Sequence, residues 1–153
     1  MAENNFDYAF QGTLKSLDPY TLRETFTLGI LTNVYEGLIK RGPNLEILPG
    51  LATSWEVIEP TRWRFHLRQG VKFHNGNDFT AEDVVASLTR VSHETSPLKG
   101  NLPAYVSSKV VDDLTLDITL NGTSVNGGVK FGHCGGAKVG QFGASALERA
   151  ALI

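Results

Sequence analysis

The chain has 153 residues, 41% of them hydrophobic and 20% charged, with a net charge of −2. That length supports a buried core, while the weak negative charge offers no basic field for nucleic acid or an anionic membrane. No apolar run is long enough to span a bilayer, and the single cysteine, Cys134, rules out an internal disulfide.

The opening MAENNFDYAF has neither the basic nor the apolar region of an export signal. No cysteine near it is available to carry a lipid. Over Phe6 to Phe10 the aromatic residues Phe6, Tyr8 and Phe10 recur at period two, which predicts a short strand. A turn is expected at Leu17-Asp18-Pro19. From about Thr21 the residues Phe26, Ile30, Leu31, Val34, Tyr35 and Leu38 recur at helical spacing, and Gly42-Pro43 marks the expected helix end. Leu45, Ile47 and Pro49-Gly50 read as a short strand and turn.

Trp55 and Val57, then Trp63, Phe65 and Leu67, form two alternating runs separated by Glu59-Pro60-Thr61, a predicted hairpin. The two tryptophans are candidates for a cross-strand pair. Their packing role is weighed against a ligand-stacking platform and preferred. A third run, Val71 and Phe73, follows a turn at Gln69-Gly70. There Arg68 and Lys72 read as exposed cations flanking a turn glycine rather than as an anion site. Thr80 and Asp83 have the spacing of a capping box. Val84, Val85, Leu88 and Val91 are the expected buried stripe of the helix that follows, which Ser96-Pro97 ends. Val106 to Val111 and Leu114 to Leu120 read as two strands joined at Asp112-Asp113.

Composition changes after Leu120. Eight glycines fall among the 23 residues from Asn121 to Gly143, and residues 121–153 are expected to be a flexible tail. The fragment GHCGGAKVG lacks the second glycine and the hydroxyl of a phosphate loop, with Ala137 and Val139 in those places. His66, His74, His93 and His133 do not form a pattern of convergent metal ligands. Cys134 beside His133 has no third orienting group, and Glu82-Asp83 belong to a helix start. No catalytic constellation, cofactor or metal is expected.

In order, the chain reads LATSWEV, then WRFHLRQGVKFHNG, then AEDVVASLTR, preceded by LDP and YEGLIK. This set resembles the N-terminal lobe of the extracytoplasmic solute-binding proteins of oligopeptide, dipeptide and nickel ABC importers, family 5. Its members show "LA.sWe", "F.LR.gVkFh.G" and "AeDV..S..R" in the same order, and their "YEgL" matches Tyr35 to Leu38, a packing element. The resemblance covers roughly Phe6 to Leu120.

It implies an α+β fold of mostly antiparallel strands with two main helices, a partial lobe of a periplasmic-binding-protein type II-like fold. Residues 1–42 would supply the opening strand and helix of the first ligand-binding domain, and 43–120 a small scaffold domain of the same lobe. Because family members are several times longer and hold the ligand between two lobes, this chain is expected not to bind alone. The implied function is capture of an oligopeptide or similar solute in the periplasm and delivery to an ABC permease. The mature form is expected here, without its signal peptide. An autonomous interaction module and a weak metal-binding protein are the alternatives.

The resemblance also places Tyr20, Leu22, Arg23, Glu24 and Thr25 along the ligand cleft. There Arg23 would meet a peptide carboxylate and Glu24 an amino terminus. The plainer alternative is a solvated helix start.

Overall fold

The structure, a computed structural model, describes residues 12–20, 25–44, 46–101 and 105–121. The strand expected over Phe6–Phe10 and the glycine-rich stretch after Asn121 lie outside them.

Helix α1 runs only from Thr25 to Leu31, shorter than the periodicity predicted. Its end is set by side chains that take up the last carbonyls. The Thr32 hydroxyl donates to the Gly29 carbonyl at 2.8 Å, and Asn33 Nδ2 donates to Gly29 and Ile30 at 3.0 and 3.3 Å. Val34, Tyr35 and Leu38 therefore leave the helix. Leu38 instead leads into strand β1 (Ile39–Arg41), which pairs antiparallel with β2 (Ile47–Pro49). Gly42-Pro43 sits in the loop of this hairpin, where the Gly42 amide meets the Glu46 carbonyl at 2.9 Å.

Strands β3 (Ala52–Glu59), β4 (Arg62–Leu67), β5 (Tyr105–Asp112) and β6 (Thr115–Leu120) form an antiparallel sheet in the order β3-β4-β6-β5. Both hairpins fall where alternation predicted them. The register sets Trp55 opposite Phe65 and Val57 opposite Trp63. The aromatic pair is thus Trp55 with Phe65, stacked with centroids 6.4 Å apart, rather than Trp55 with Trp63. The run Val71–Phe73 is not a strand; Lys72 and Asp78 form a single bridge. Gly70 and Gly76 both adopt positive φ, 75° and 89°, which glycine alone adopts without strain.

Helix α2 (Ala81–Ser92) begins with the expected capping box: the Thr80 amide donates to Asp83 Oδ2 at 2.8 Å. It buries Ala81, Val84, Leu88 and Val91. The first three meet Trp63, Phe65, Leu67, Leu116 and Ile118 of the sheet, with Phe79, Leu51, Leu38 and Ile39, in the main core cluster. The result is a two-layer arrangement, one helix over one sheet face, with an apolar inner face and a polar outer one.

Candidate functional site

The turn that precedes residues 21–25 is built from local bonds. Ser16 Oγ accepts the Asp18 amide at 2.9 Å, and Asp18 Oδ1 accepts the Tyr20 amide at 3.0 Å, as Ser and Asp commonly do in turns. The Tyr35 hydroxyl donates to the Leu17 carbonyl at 2.9 Å. Tyr20 is 8% exposed and packs with Val91 and Leu98 in a second apolar cluster. The Arg90 guanidinium lies 5.0 Å from its ring centre and pairs with Asp18 Oδ2. So of the five residues placed along the cleft, Tyr20 turns toward α2, and Thr25 opens α1. Leu22, Arg23 and Glu24 lie outside the described residues.

A second constellation centres on Glu36, in the YEGLIK stretch. Arg68, just past β4, forks onto both carboxylate oxygens at 3.2 and 2.5 Å, and Lys40 reaches Oε1 at 2.6 Å. Arg68 also donates to the Gly50 carbonyl at 3.3 Å. Here the Gly37-Leu38 backbone meets Gly50 to Ala52 through three hydrogen bonds: Gly50 to Leu38 at 3.2 Å, Leu51 to Gly37 at 3.0 Å and Ala52 to Leu38 at 2.9 Å. Partial burial pushes the Glu36 carboxyl up, but hydrogen bonds and charge from Arg68 and Lys40 outweigh it. Its pKa ends below the ordinary carboxylate value.

The outer face of the sheet carries a row of alternating charge. Strand register aligns Glu56, Arg64, Asp117 and Lys109 on β3, β4, β6 and β5. Asp117 is only 5% exposed yet fully engaged, accepting Arg64 Nε at 2.7 Å and a second Arg64 nitrogen at 3.0 Å. The Arg64 hydrogen bonds hold its pKa below the usual range against the opposing effect of burial. The charges of Arg64, Arg62 and Lys109 add to this.

The histidines take separate local partners. His66 Nε2 stands 3.5 Å from Glu56, His74 Nε2 lies 3.3 Å from the Val34 carbonyl, and His93 Nδ1 is 2.8 Å from the Thr95 hydroxyl. Among the described residues no group of three or more His, Cys, Asp or Glu is arranged to hold a metal ion. Nor, among them, is any helix long and apolar enough to cross a membrane. The arrangement supports rigid positioning of backbone segments. Glu36, Asp117 and Arg90 escaped the sequence reading as charged partners. The available signal was charge of opposite sign in neighbouring motifs: Asp18 in LDP, Glu36 in YEGL, Arg68 in FHLR and Arg90 in SLTR.

The family model for "Bacterial extracellular solute-binding proteins, family 5 Middle" matches residues 46–141, well over half of the chain. The chain belongs to this family. Its members are the solute-binding components of ABC importers. The match continues past Leu120, where the resemblance ended, into the glycine-rich stretch.

The glutathione-binding protein GsiB of Pectobacterium atrosepticum is 33% identical over 115 residues, covering 73% of this chain and 22% of GsiB. The HTH-type transcriptional regulator SgrR of Salmonella choleraesuis is 40% identical over 81 residues, 51% of this chain and 13% of SgrR. Among solved structures, the PBP AgaA of A. tumefaciens R10 in complex with agropinic acid superposes with a TM-score of 0.67 at 32% identity, covering 74% of this chain and 24% of AgaA. The Escherichia coli murein tripeptide binding protein MppA gives a TM-score of 0.58 at 27% identity, covering 69% of this chain and 25% of MppA. The family 5 solute-binding protein lobe is a type II periplasmic-binding-protein fold, and the antiparallel sheet with two helices is part of it. The chain spans about a quarter or less of the length of each of these proteins.

Proposed function

We propose that this chain is part of the receptor of an ABC importer, capturing a short peptide or peptide-like solute in the periplasm for a membrane permease. The observation that carries this is the family match over residues 46–141. Two relatives support the solute class: GsiB is a glutathione-binding protein, glutathione being a tripeptide, and MppA is a periplasmic murein tripeptide binding protein. In this reading residues 1–42 furnish the opening of the solute-binding domain and 43–120 the scaffold beside it. Leu38 and Ile39 lock the two together by sharing one buried cluster with Leu51 and Leu67.

Residues Tyr20, Leu22, Arg23, Glu24 and Thr25 form the solute-facing segment. Tyr20 is its buried anchor, and Arg23 and Glu24 supply the charges that meet a peptide's ends. Retention comes from closure of a second lobe by hinge motion. The function is binding and delivery, without catalysis. Amide shifts during titration with glutathione and with trialanine test this. At millimolar solute, shifts concentrated at residues 20–25 and diminished by Arg23→Ala or Glu24→Ala are expected. Shifts centred on the outer sheet face around Arg64 would overturn the assignment.

The likeness to SgrR favours a second reading, a solute-sensing module joined to a DNA-binding domain. Permease and ATPase genes beside the coding sequence support the receptor; an in-frame helix-turn-helix segment supports the sensor.

A further inference from the structure

We infer that Arg90, on α2, is a positioning residue for the solute-facing segment, acting through a clamp on the turn that launches it. This rests on the reading of residues 20–25 given above. Arg90 does two jobs at once: its guanidinium stands 5.0 Å from the Tyr20 ring centre and pairs with Asp18 Oδ2. The other Asp18 oxygen holds the Tyr20 amide at 3.0 Å. One cation thus fixes both the side chain and, through a single carboxylate, the backbone of the residue from which the segment departs.

The clamp is long-range in sequence, joining positions 72 residues apart. It connects the LDP and SLTR blocks, which local sequence reading treats as a turn and a helix. Its base is rigid. Val91, the next residue on α2, is 2% exposed and packs with Tyr20 and Leu98, while the capping box sets the helix start. Leu17 is tied from the other side by the Tyr35 hydroxyl at 2.9 Å. The placement of Tyr20, where the described turn ends, is therefore set by α2, which belongs to the scaffold, while α1 meets the chain earlier, where Thr27 Oγ1 accepts the Lys15 amide at 3.3 Å. Arginine suits this role because a planar guanidinium can cover a ring face while its edge pairs with a carboxylate.

The test uses the 153-residue chain and its variants Arg90→Gln, Arg90→Lys and Asp18→Asn. Amide exchange is read at Tyr20 and, as an internal control, at Phe65 in the sheet. Trialanine at millimolar concentration serves as the probe, read by amide shifts at residues 20–25. Arg90→Gln should speed Tyr20 exchange by about two- to fivefold, the scale of an exposed charge pair, leave Phe65 unchanged, and diminish the trialanine shifts. Arg90→Lys should restore the exchange rate in part, and Asp18→Asn, which keeps the Oδ1 acceptor, should match Arg90→Gln. Unchanged Tyr20 exchange, or equal acceleration at Tyr20 and Phe65, overturns the clamp. Faster Tyr20 exchange with undiminished shifts at residues 20–25 overturns the positioning role. Absence of shifts there in the parent chain overturns the solute-facing reading while the exchange data still decide the clamp.

Discussion

Glu36 accepts from Arg68 and Lys40, and Arg68 also bonds the Gly50 carbonyl, so one carboxylate joins the end of β4 to the chain entering β1. Its pKa is lowered in the fold, as is that of Asp117. A carboxyl with a depressed folded value contributes stability that is fully present above its ordinary pKa and disappears as pH falls through the folded value. Urea midpoints should therefore be flat near neutrality and decline below about pH 4. The combined Glu36→Gln and Asp117→Asn variant should show a shallower decline in the same acid titration. An unchanged slope would mean that neither group is linked to folding. Gly50 has a different constraint. A Cβ there would stand 2.4 Å from the Gly37 carbonyl oxygen, and backbone cannot swing aside as a side chain can. Gly50→Ala is expected to lower stability by about 1–3 kcal/mol by urea denaturation.

Each strand of the sheet carries two messages at period two, and both are used. The inner positions of β4, Trp63, Phe65 and Leu67, are all buried, and Trp63 packs in the core with Leu88 of α2 and Ile118. Trp63→Ala should destabilise by about 3 kcal/mol or more through lost contacts and an unfilled cavity. A melting point equal to the parent's would remove Trp63 from the core and revive a ligand-stacking role. One outer row, Glu56, Arg64, Asp117 and Lys109, alternates in sign across the four strands, so each of these charges has an opposite neighbour. Lys109→Glu sets like charges opposite one another at Asp117 and should destabilise by roughly 0.2–1 kcal/mol, less so in high salt. Salt titration of the variant's urea midpoint reads this directly.

Tight capture of a small solute requires burial of most of its surface, and the chain spans only 22% of GsiB and 24% of AgaA. A single lobe would leave one side of a bound peptide in water, where an ion pair contributes only about 0–1 kcal/mol. Calorimetry of the chain against di- to pentapeptides should accordingly find no affinity tighter than about millimolar, near −4 kcal/mol. Micromolar binding would mean that the chain completes its own site, for instance as a dimer.

The family, the antiparallel α+β character, both sheet hairpins and the α2 capping box were legible in the sequence, because each depends on residues close together: alternation, turn residues and a Thr-Ala-Glu-Asp start. The length of α1 was not. Apolar spacing continued to Leu38, but Leu38 is buried in the sheet's core cluster and Gly37 accepts the Leu51 amide, partners that local periodicity does not reveal. Nor could spacing show that Trp55 meets Phe65, since a hairpin's bulges decide the register. The same holds for Asp18 with Arg90 and Glu36 with Arg68. A charge in a sequence has a sign but no address, and only the packing of α2 and β4 against the turn and β1 supplies its partner.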